Sequence, residues 1–182
     1  IQTESSAGRL TMTQTADGPV GFANCLKLDC TTADTSIAAG ERLIVRQSFE
    51  GQDVQQIKKG TSDAEKVTVS FYVKGNAAAT YTCELVDEDN SRYVAQEFSV
   101  TTSWTKIVKT FVADTTGAFN DDNAHSMSLN IWLHAGSSFT GGTFASNTVH
   151  TTANQRVGDN QTSFFDSTDR TFFLTGVQME VG

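Results

Sequence analysis

The chain has little proline, few cations and no long apolar run, and each absence excludes a class of protein. A single proline, Pro19, excludes a stiff proline-rich linker, so we expect one domain over residues 1–182. Thirteen Lys and Arg against 21 Asp and Glu give a formal net charge of −8, which opposes binding to phosphates. We therefore expect no nucleic-acid partner.

Membrane insertion is also not expected. No apolar run approaches the length that spans a bilayer, and the N-terminus lacks the charged-then-apolar pattern of a secretion signal. The first residue is Ile1 rather than Met. We expect a processed product or a piece of a longer chain.

Cysteine is scarce, with Cys25, Cys30 and Cys83 only. Their spacing is not that of a metal site, and free cysteine is commonly buried, which favours three reduced thiols. Cys25 and Cys30 are five residues apart, so on a regular strand they face opposite sides and do not pair. A Cys25–Cys83 or a Cys30–Cys83 disulfide remains the alternative.

Signatures of catalysis are missing as well. The three histidines, His125, His134 and His150, form no HExxH or HxH motif, and no serine lies in a GxSxG elbow. Gly141-Gly142 lacks the Lys-Ser/Thr that completes a phosphate-binding loop. We predict that the protein is not an enzyme.

What the chain does contain is threonine and strict alternation, both typical of strands. In the segment 67–74, Val and Phe alternate with Thr, Ser, Tyr and Lys, so one face is apolar and the other polar. Similar segments recur with turn residues between them, which predicts an all-β antiparallel β-sandwich of about nine strands. The predicted strands are Leu10–Thr13, Gly21–Leu28, Arg42–Phe49, Lys66–Lys74, Thr80–Val86, Arg92–Ser99, Thr105–Val112, Ser126–His134 and Thr171–Val181.

Irregular segments are few. Asp53–Lys59 predicts at most one short helix, held on the sandwich by Val54 and Ile57. The loosest stretch is Ala135–Arg170, with a possible short strand at Thr148–Thr151. Gly176 predicts a bulge in the last strand that lets Val177, Met179 and Val181 reach the core.

Two alternating strands carry aromatic rings on their polar faces. In Ser126–His134, the residues Met127, Leu129, Ile131 and Leu133 form the core face, which leaves the other face polar. Sugars are recognised by C–H faces stacked on rings and by side chains that bond hydroxyls. The candidate glycan-binding or interface residues are therefore Tyr72, Lys74, Asn130, Trp132 and His134. The alternative for Trp132 is cover by a loop or a neighbouring subunit.

The remaining aromatic residues are predicted to be structural. In SWTKIVKTF, Trp104 opens a strand and resembles the Trp that does so in many carbohydrate-binding sandwiches, and that resemblance implies that it packs as core. Phe164-Phe165 and Phe172-Phe173 are predicted not all to face inward, because adjacent strand residues diverge. One member of each pair is expected to pack under a loop or against another chain.

Three segments resemble a known family. They are FEGQDVQQIKKGTSDAEKVTVSFYVK at Phe49–Lys74, SVTTSWTKIVKTF at Ser99–Phe111 and FLTGVQMEVG at Phe173–Gly182. In residue sequence and in order, these segments are similar to jelly-roll domains of phage virion proteins, common in marine phages, which look like carbohydrate-binding modules.

The resemblance implies a jelly-roll fold and a non-enzymatic tail-fibre, receptor-binding or capsid-associated role in the virion, assembled in the host bacterial cytoplasm. It implies a homo-oligomer, a trimer, with other virion proteins and host-surface polysaccharide as partners. The alternative function is a carbohydrate-binding module of a secreted glycan-degrading enzyme. A purely architectural domain without a ligand is a third interpretation.

Acidic residues cluster at Asp87/Glu88/Asp89, Asp121/Asp122 and Asp166/Asp169. Loops of this kind can hold calcium, but Asp is also common in turns for local reasons. In calcium-binding modules that resemble this chain the final strand supplies an Asp, whereas here the stretch reads Leu174-Thr175-Gly176-Val177. We expect no cofactor and no metal, with structural calcium as the disfavoured alternative.

Overall fold

A computed structural model of the protein describes residues 1–4 and 8–182, which form ten strands. In chain order the strands are β1 (Gln2–Glu4), β2 (Leu10–Thr15), β3 (Cys25–Cys30), β4 (Arg42–Glu50), β5 (Val67–Gly75), β6 (Ala79–Asp87), β7 (Arg92–Val100), β8 (Thr105–Phe111), β9 (His125–Ala135) and β10 (Thr171–Val181). Two antiparallel five-stranded sheets result. The first sheet has the order β1-β4-β9-β6-β7, and the second has the order β2-β3-β10-β5-β8.

This is a β-sandwich of jelly-roll type, which confirms the predicted fold class. All nine predicted strands are present, with boundaries that differ by a few residues. The strand predicted at Gly21–Leu28 begins only at Cys25 and continues to Cys30. Three-residue β1 was missed because it is too short to show an alternation.

The core is the layer between the two sheets. On β5 every second residue is buried, and the valines and Phe71 of that strand form part of the core. The inward residues predicted for β9 lie in the same core: Met127, Leu129, Ile131 and Leu133. Strand alternation therefore assigned the inner faces of both strands correctly.

Helical structure is minimal in the residues that the structure describes. The segment predicted as a short helix forms two 3₁₀ turns, Gly51–Asp53 and Gln55–Ile57. Val54 and Ile57 are buried in the core, as predicted. A single α-helical turn, α1 (Ser137–Thr140), was not predicted. None of these helices is long and apolar enough to cross a membrane.

Gly176 lies at a bulge, as predicted. Its φ of 60° is in the left-handed region, and β10 carries one residue more than β5 between Thr175 and Gln178. The predicted consequence was wrong for two of three residues, since Val177 is 45% and Val181 41% exposed. β3 pairs with β10 only as far as Leu174, so the rest of β10 lies at an open margin of the sandwich.

All three cysteines are buried free thiols, in agreement with the interpretation favoured from the sequence. Burial raises the pKa of the Cys83 thiol far above its usual range. A buried protonated thiol is a poor nucleophile.

Lys59 is buried at one end of the sandwich among oxygen atoms. Its Nζ lies 2.5 Å from Asp87 Oδ2 and 3.1 Å from Asp114 Oδ2, and it donates to the carbonyls of Thr116 and Gly117 at 2.7 and 2.6 Å. Arg92 donates to both oxygens of Asp114 at 2.7 and 2.9 Å. The ammonium therefore fixes the loop after β8 to the end of β6.

Asp87 and Asp89 of the acidic turn 87–89 are consequently engaged by other side chains rather than simply solvated. Asp87 is 5% exposed and pairs with Lys59, while Asp89 accepts hydrogen bonds from Asn120. Among residues 1–4 and 8–182, no group of three or more His, Cys, Asp or Glu side chains is arranged to hold a metal ion.

Replacing Lys59 should expose how much stability this buried cation supplies. Lys59→Met leaves the buried Asp87 carboxylate without its cation, so we expect a loss of about 3–5 kcal/mol in the free energy of unfolding. Urea denaturation followed by tryptophan fluorescence measures this change. Lys58→Met is the matched control, because Lys58 and its partner Glu65 are exposed; we expect a change within about 0.5 kcal/mol. Equal losses of unfolding free energy in the two variants would show that Lys59 does not have this stabilising role.

Candidate functional site

The five predicted site residues lie on opposite sides of the sandwich. Tyr72 and Lys74 are on β5 of the second sheet, whereas the other three are on β9 of the first sheet. In each case the side chain points away from the core between the sheets. The single binding face suggested by the sequence is therefore wrong, because alternation assigns a side chain to a face but does not assign a strand to a sheet.

On the first sheet the predicted residues are also covered. Asn130, Trp132 and His134 are each 0% exposed. A cover segment, residues 136–165, crosses the outer face of this sheet and packs Phe139 on Trp132 with 5.0 Å between ring centroids. Gln161 Nε2 donates to the Trp132 carbonyl at 2.9 Å. The structure thus shows loop cover over Trp132.

A buried carboxylate organises the covered face. Glu84, on β6, is 0% exposed and accepts hydrogen bonds from Asn130 Nδ2 at 2.9 Å and from Trp132 Nε1 at 2.7 Å. Arg156, from the cover segment, donates to both Glu84 oxygens at 2.7 and 2.9 Å. Its guanidinium carbon lies 5.1 Å from the Trp132 ring centroid and 4.2 Å from that of Tyr93. Burial lowers the pKa of Arg156, but Glu84 more than offsets it and the pKa is raised.

His134 is part of the same covered surface. Its Nδ1 lies 2.8 Å from Ser163 Oγ, and its ring meets Phe165 edge-on at 5.1 Å. Burial lowers the pKa of this imidazole, so it is neutral at neutral pH. The residue therefore helps to hold the cover segment, and its ring does not contact solvent.

The cover segment is joined to the sandwich edge as well. The short strand predicted at Thr148–Thr151 is an isolated bridge between Tyr93 and His150. Phe164 and Phe165 are both buried in the core, which corrects the prediction that one would pack elsewhere. The prediction failed because these residues form a turn rather than a strand, so the divergence of neighbouring strand side chains does not apply.

Removing Arg156 should release the cover segment without unfolding the sandwich. In Arg156→Met, Glu84 keeps a buried charge without its cation. We expect amide hydrogen exchange in residues 136–165 to rise at least about tenfold, while β5 and β8 of the second sheet keep their protection. Mass spectrometry of peptic fragments provides the measurement. The double variant Glu84→Gln/Arg156→Met removes both charges and should recover part of the protection; no recovery would mean that the ion pair is not what fastens the segment.

The outer face of the second sheet is different because it carries rings and lysines that remain partly exposed. Four neighbouring strands place Trp104, Lys74, Phe173 and Lys27 in one row, since Phe173 pairs with both Lys74 and Lys27, and Trp104 precedes the residue that pairs with Val73. Strands are about 4.8 Å apart, so the row extends about 14 Å. The next row contains Tyr72 and its partner Lys106. These six residues are named the aromatic–lysine face.

The lysines of this face lie against the rings. Lys74 Nζ is 4.6 Å from the Phe173 ring centroid and 5.3 Å from that of Trp104. Lys27 Nζ is 5.7 Å from Phe173, and Lys106 Nζ is 5.9 Å from Tyr72. These distances are within the range of cation–π attraction. The rings are partly exposed and form a surface with positive charges between them.

Trp104 is therefore not part of the core, contrary to the prediction. It is partly buried on the outer face and meets Phe173 edge-on at 6.2 Å. Phe173 is the outward member of its pair, because Phe172 and Leu174 lie in the core. Sequence reasoning missed both residues as site candidates. The alternation of β10 assigns Phe173 to the outer face, and the alternation of β8, continued one residue back, assigns Trp104 to the same face.

A loop, residues 16–24, borders the aromatic–lysine face. Phe22 packs on Tyr72 with 5.4 Å between ring centroids, and Asp17 Oδ2 pairs with Lys74 Nζ at 2.6 Å. Gly176 permits this approach, because a Cβ at that position would be 2.6 Å from the Phe22 ring. The loop thus contacts both kinds of group on the face, a ring and an ammonium.

Comparison with known proteins gives similarity of structure only. No protein-family model matches the sequence, and no curated protein matches it significantly. The structure is similar to the CBM22-1 xylan-binding domain of Xyn10C from Paenibacillus barcinonensis, at 14% identity and a TM-score of 0.47, covering 99% of this chain and 84% of that one.

Two further solved structures are similar. The family 11 carbohydrate-binding module from Clostridium thermocellum, solved with a β-1,3-1,4-mixed-linked tetrasaccharide, is 11% identical with a TM-score of 0.48 over 97% of this chain and 85% of that one. The enzymatically active domain of tailspike protein 4 of bacteriophage CBA120 is 11% identical with a TM-score of 0.48 over 94% of this chain and 18% of that one. At identities and TM-scores this low, the likeness is not evidence for a ligand or an activity.

Proposed function

We propose that the protein is a non-enzymatic glycan-binding domain whose binding surface is the aromatic–lysine face. The observation that carries this proposal is the row of Trp104, Lys74, Phe173 and Lys27 across four strands, with Tyr72 and Lys106 beside it. The proposal keeps Tyr72 and Lys74 from the residues predicted from the sequence. It leaves out Asn130, Trp132 and His134, which the cover segment encloses.

The chemistry of the face fits a carbohydrate. An aromatic ring presents a flat apolar surface on which the C–H face of a sugar can stack, and the ring loses little conformational entropy because it is already packed. Lysine ammoniums are donors with three hydrogens each and can bond hydroxyl or ring oxygens. A sheet holds these groups on a rigid support, which reduces the ordering that binding requires.

Substitution of Tyr72 tests the proposed surface. We expect Tyr72→Ala to weaken binding about tenfold, which corresponds to about 1.4 kcal/mol, because a stacked ring is removed. Affinity electrophoresis in gels that contain xylan, mixed-linkage β-glucan, galactan, alginate, polygalacturonate or dextran sulfate measures retardation of the native chain. Val108→Ala is the matched control, since Val108 is exposed on the outer face of β8 and pairs with Ser70 rather than with an aromatic residue.

Two results would contradict the proposal. One is that none of the six polysaccharides retards the native chain. The other is that Tyr72→Ala is retarded as strongly as the native chain and the Val108→Ala control.

The resemblance of three sequence segments to phage virion proteins supports a more specific role. On that basis we place the domain in a homo-oligomeric, trimeric fibre, spike or capsid-associated protein of a virion, acting in assembly, in attachment to host-surface polysaccharide, or in both. The alternative, a binding module attached to a secreted glycan-degrading enzyme, uses the same face. In either role the domain itself performs no catalysis.

The mass in solution tests the oligomeric part of this role. Light scattering coupled to size exclusion should give three times the chain mass of 19.6 kDa. A trimer multiplies weak contacts with a repetitive surface into tighter overall binding. A monomer at every accessible concentration would count against a trimer and favour the module of a secreted enzyme.

A further inference from the structure

The loop 16–24 contacts the aromatic–lysine face with the two kinds of group that an acidic sugar would offer. A carboxylate, from Asp17, lies on the Lys74 ammonium, and a flat ring, from Phe22, lies on Tyr72. Both contacts come from one short loop. A carboxylate and a flat ring thus occupy the face at the same time.

The contacts of this loop are easily displaced. The side chain of Asp17 is 51% exposed, and an ion pair of that exposure contributes little to stability. Val20 at the tip of the loop is fully exposed, and Phe22 is 37% exposed. Ligand groups can therefore replace Asp17 at Lys74 without disturbing the core.

The aromatic–lysine face carries positive charges, whereas the chain as a whole is negatively charged. The formal net charge is −8, yet three of the seven lysines lie on the aromatic–lysine face. Lys27 pairs with Asp29 at 2.8 Å and Lys74 with Asp17, whereas Lys106 has no carboxylate partner among the described residues. Removing Asp17 from Lys74 leaves two ammoniums without a carboxylate, Lys74 against Phe173 and Trp104 and Lys106 against Tyr72.

We propose that the aromatic–lysine face binds a polysaccharide that carries anionic groups, and that Asp17 competes with those groups for Lys74. The shared chemistry is a sugar ring that stacks on Tyr72 and a carboxylate or sulfate ester that pairs with Lys74 and Lys106. This inference rests on the proposed glycan-binding function and adds the class of ligand. An ammonium pairs with either anion as a point charge, so uronate and sulfate polymers are separate arms of the test.

The decisive variant is Asp17→Asn, which keeps the shape of the side chain and removes the competing charge. We expect it to tighten binding to polygalacturonate and alginate, or to dextran sulfate, about threefold to tenfold, and to leave binding to neutral dextran and xylan unchanged. Lys106→Gln should weaken binding to the same acidic polymers by a similar factor. Affinity electrophoresis is run with a chelator present, so that no divalent cation bridges the acidic chain and the polymer.

A charge-matched control separates competition from the change in net charge. Asp121→Asn removes one exposed carboxylate from the loop between β8 and β9, and Asp121 has no contact with Lys74, so we expect no more than a small, general effect. If Asp17→Asn and Asp121→Asn alter binding equally, competition at Lys74 is excluded. Retardation by carboxylate polymers alone identifies a uronate ligand, and retardation by dextran sulfate alone identifies a sulfate ester.

The outcomes distinguish this inference from the function on which it rests. Binding to neutral polysaccharides only, abolished by Tyr72→Ala and unaffected by Asp17→Asn, would overturn the inference and leave the glycan-binding function in place. Retardation by no polysaccharide would overturn both. Acidic binding that does not weaken as sodium chloride rises from about 50 to about 300 mM would also contradict an ammonium–anion pair.

Discussion

Strand alternation, by which each strand gives every second side chain to the layer between the two sheets, is the constraint on which the rest of this molecule depends. Val67, Val69, Phe71 and Val73 form the inner face of β5, and four residues of β9 meet them from the other sheet. Burial of these apolar side chains holds the sheets together. The side chains between them then point outward, so every candidate for function lies on one of two outer faces. The same rule explains why those faces cannot act together.

The outer face of the first sheet is covered, whereas that of the second sheet is partly exposed. On the first sheet the buried carboxylate of Glu84 takes hydrogen bonds from Asn130, Trp132 and Arg156, and the cover segment closes over them. A charge in that position is tolerated because Arg156 pairs with it in a bidentate geometry. On the second sheet the lysines lie against rings and remain near solvent, which leaves a surface that can exchange one partner for another. Similar residue types therefore serve structure on one face and, on the other, form the surface for which we propose glycan binding.

Asp17 connects the loop 16–24 to the aromatic–lysine face. Its carboxylate contacts Lys74, and the ring of Phe22 contacts Tyr72. One loop therefore contacts both an ammonium and a ring of the face. The glycine at position 176 is part of this arrangement, because its missing Cβ leaves room for Phe22. The bulge in β10 thus also shapes the surface beside Tyr72.

The sequence by itself determined the all-β class, nine of the ten strands and the inner residues of β5 and β9, because alternation with a period of two is local. It also identified Tyr72 and Lys74 as candidate site residues, since both lie on the polar face of the alternating strand 67–74. Only the tertiary structure decided that Trp132 and Tyr72 belong to different sheets, that Trp132 is enclosed, and that Trp104 and Phe173 share a row with Lys74. These facts depend on which strands pair and on where residues 136–165 lie. Pairing joins residues that are distant in the chain, as Phe173 and Lys74 are, and no local pattern encodes that choice.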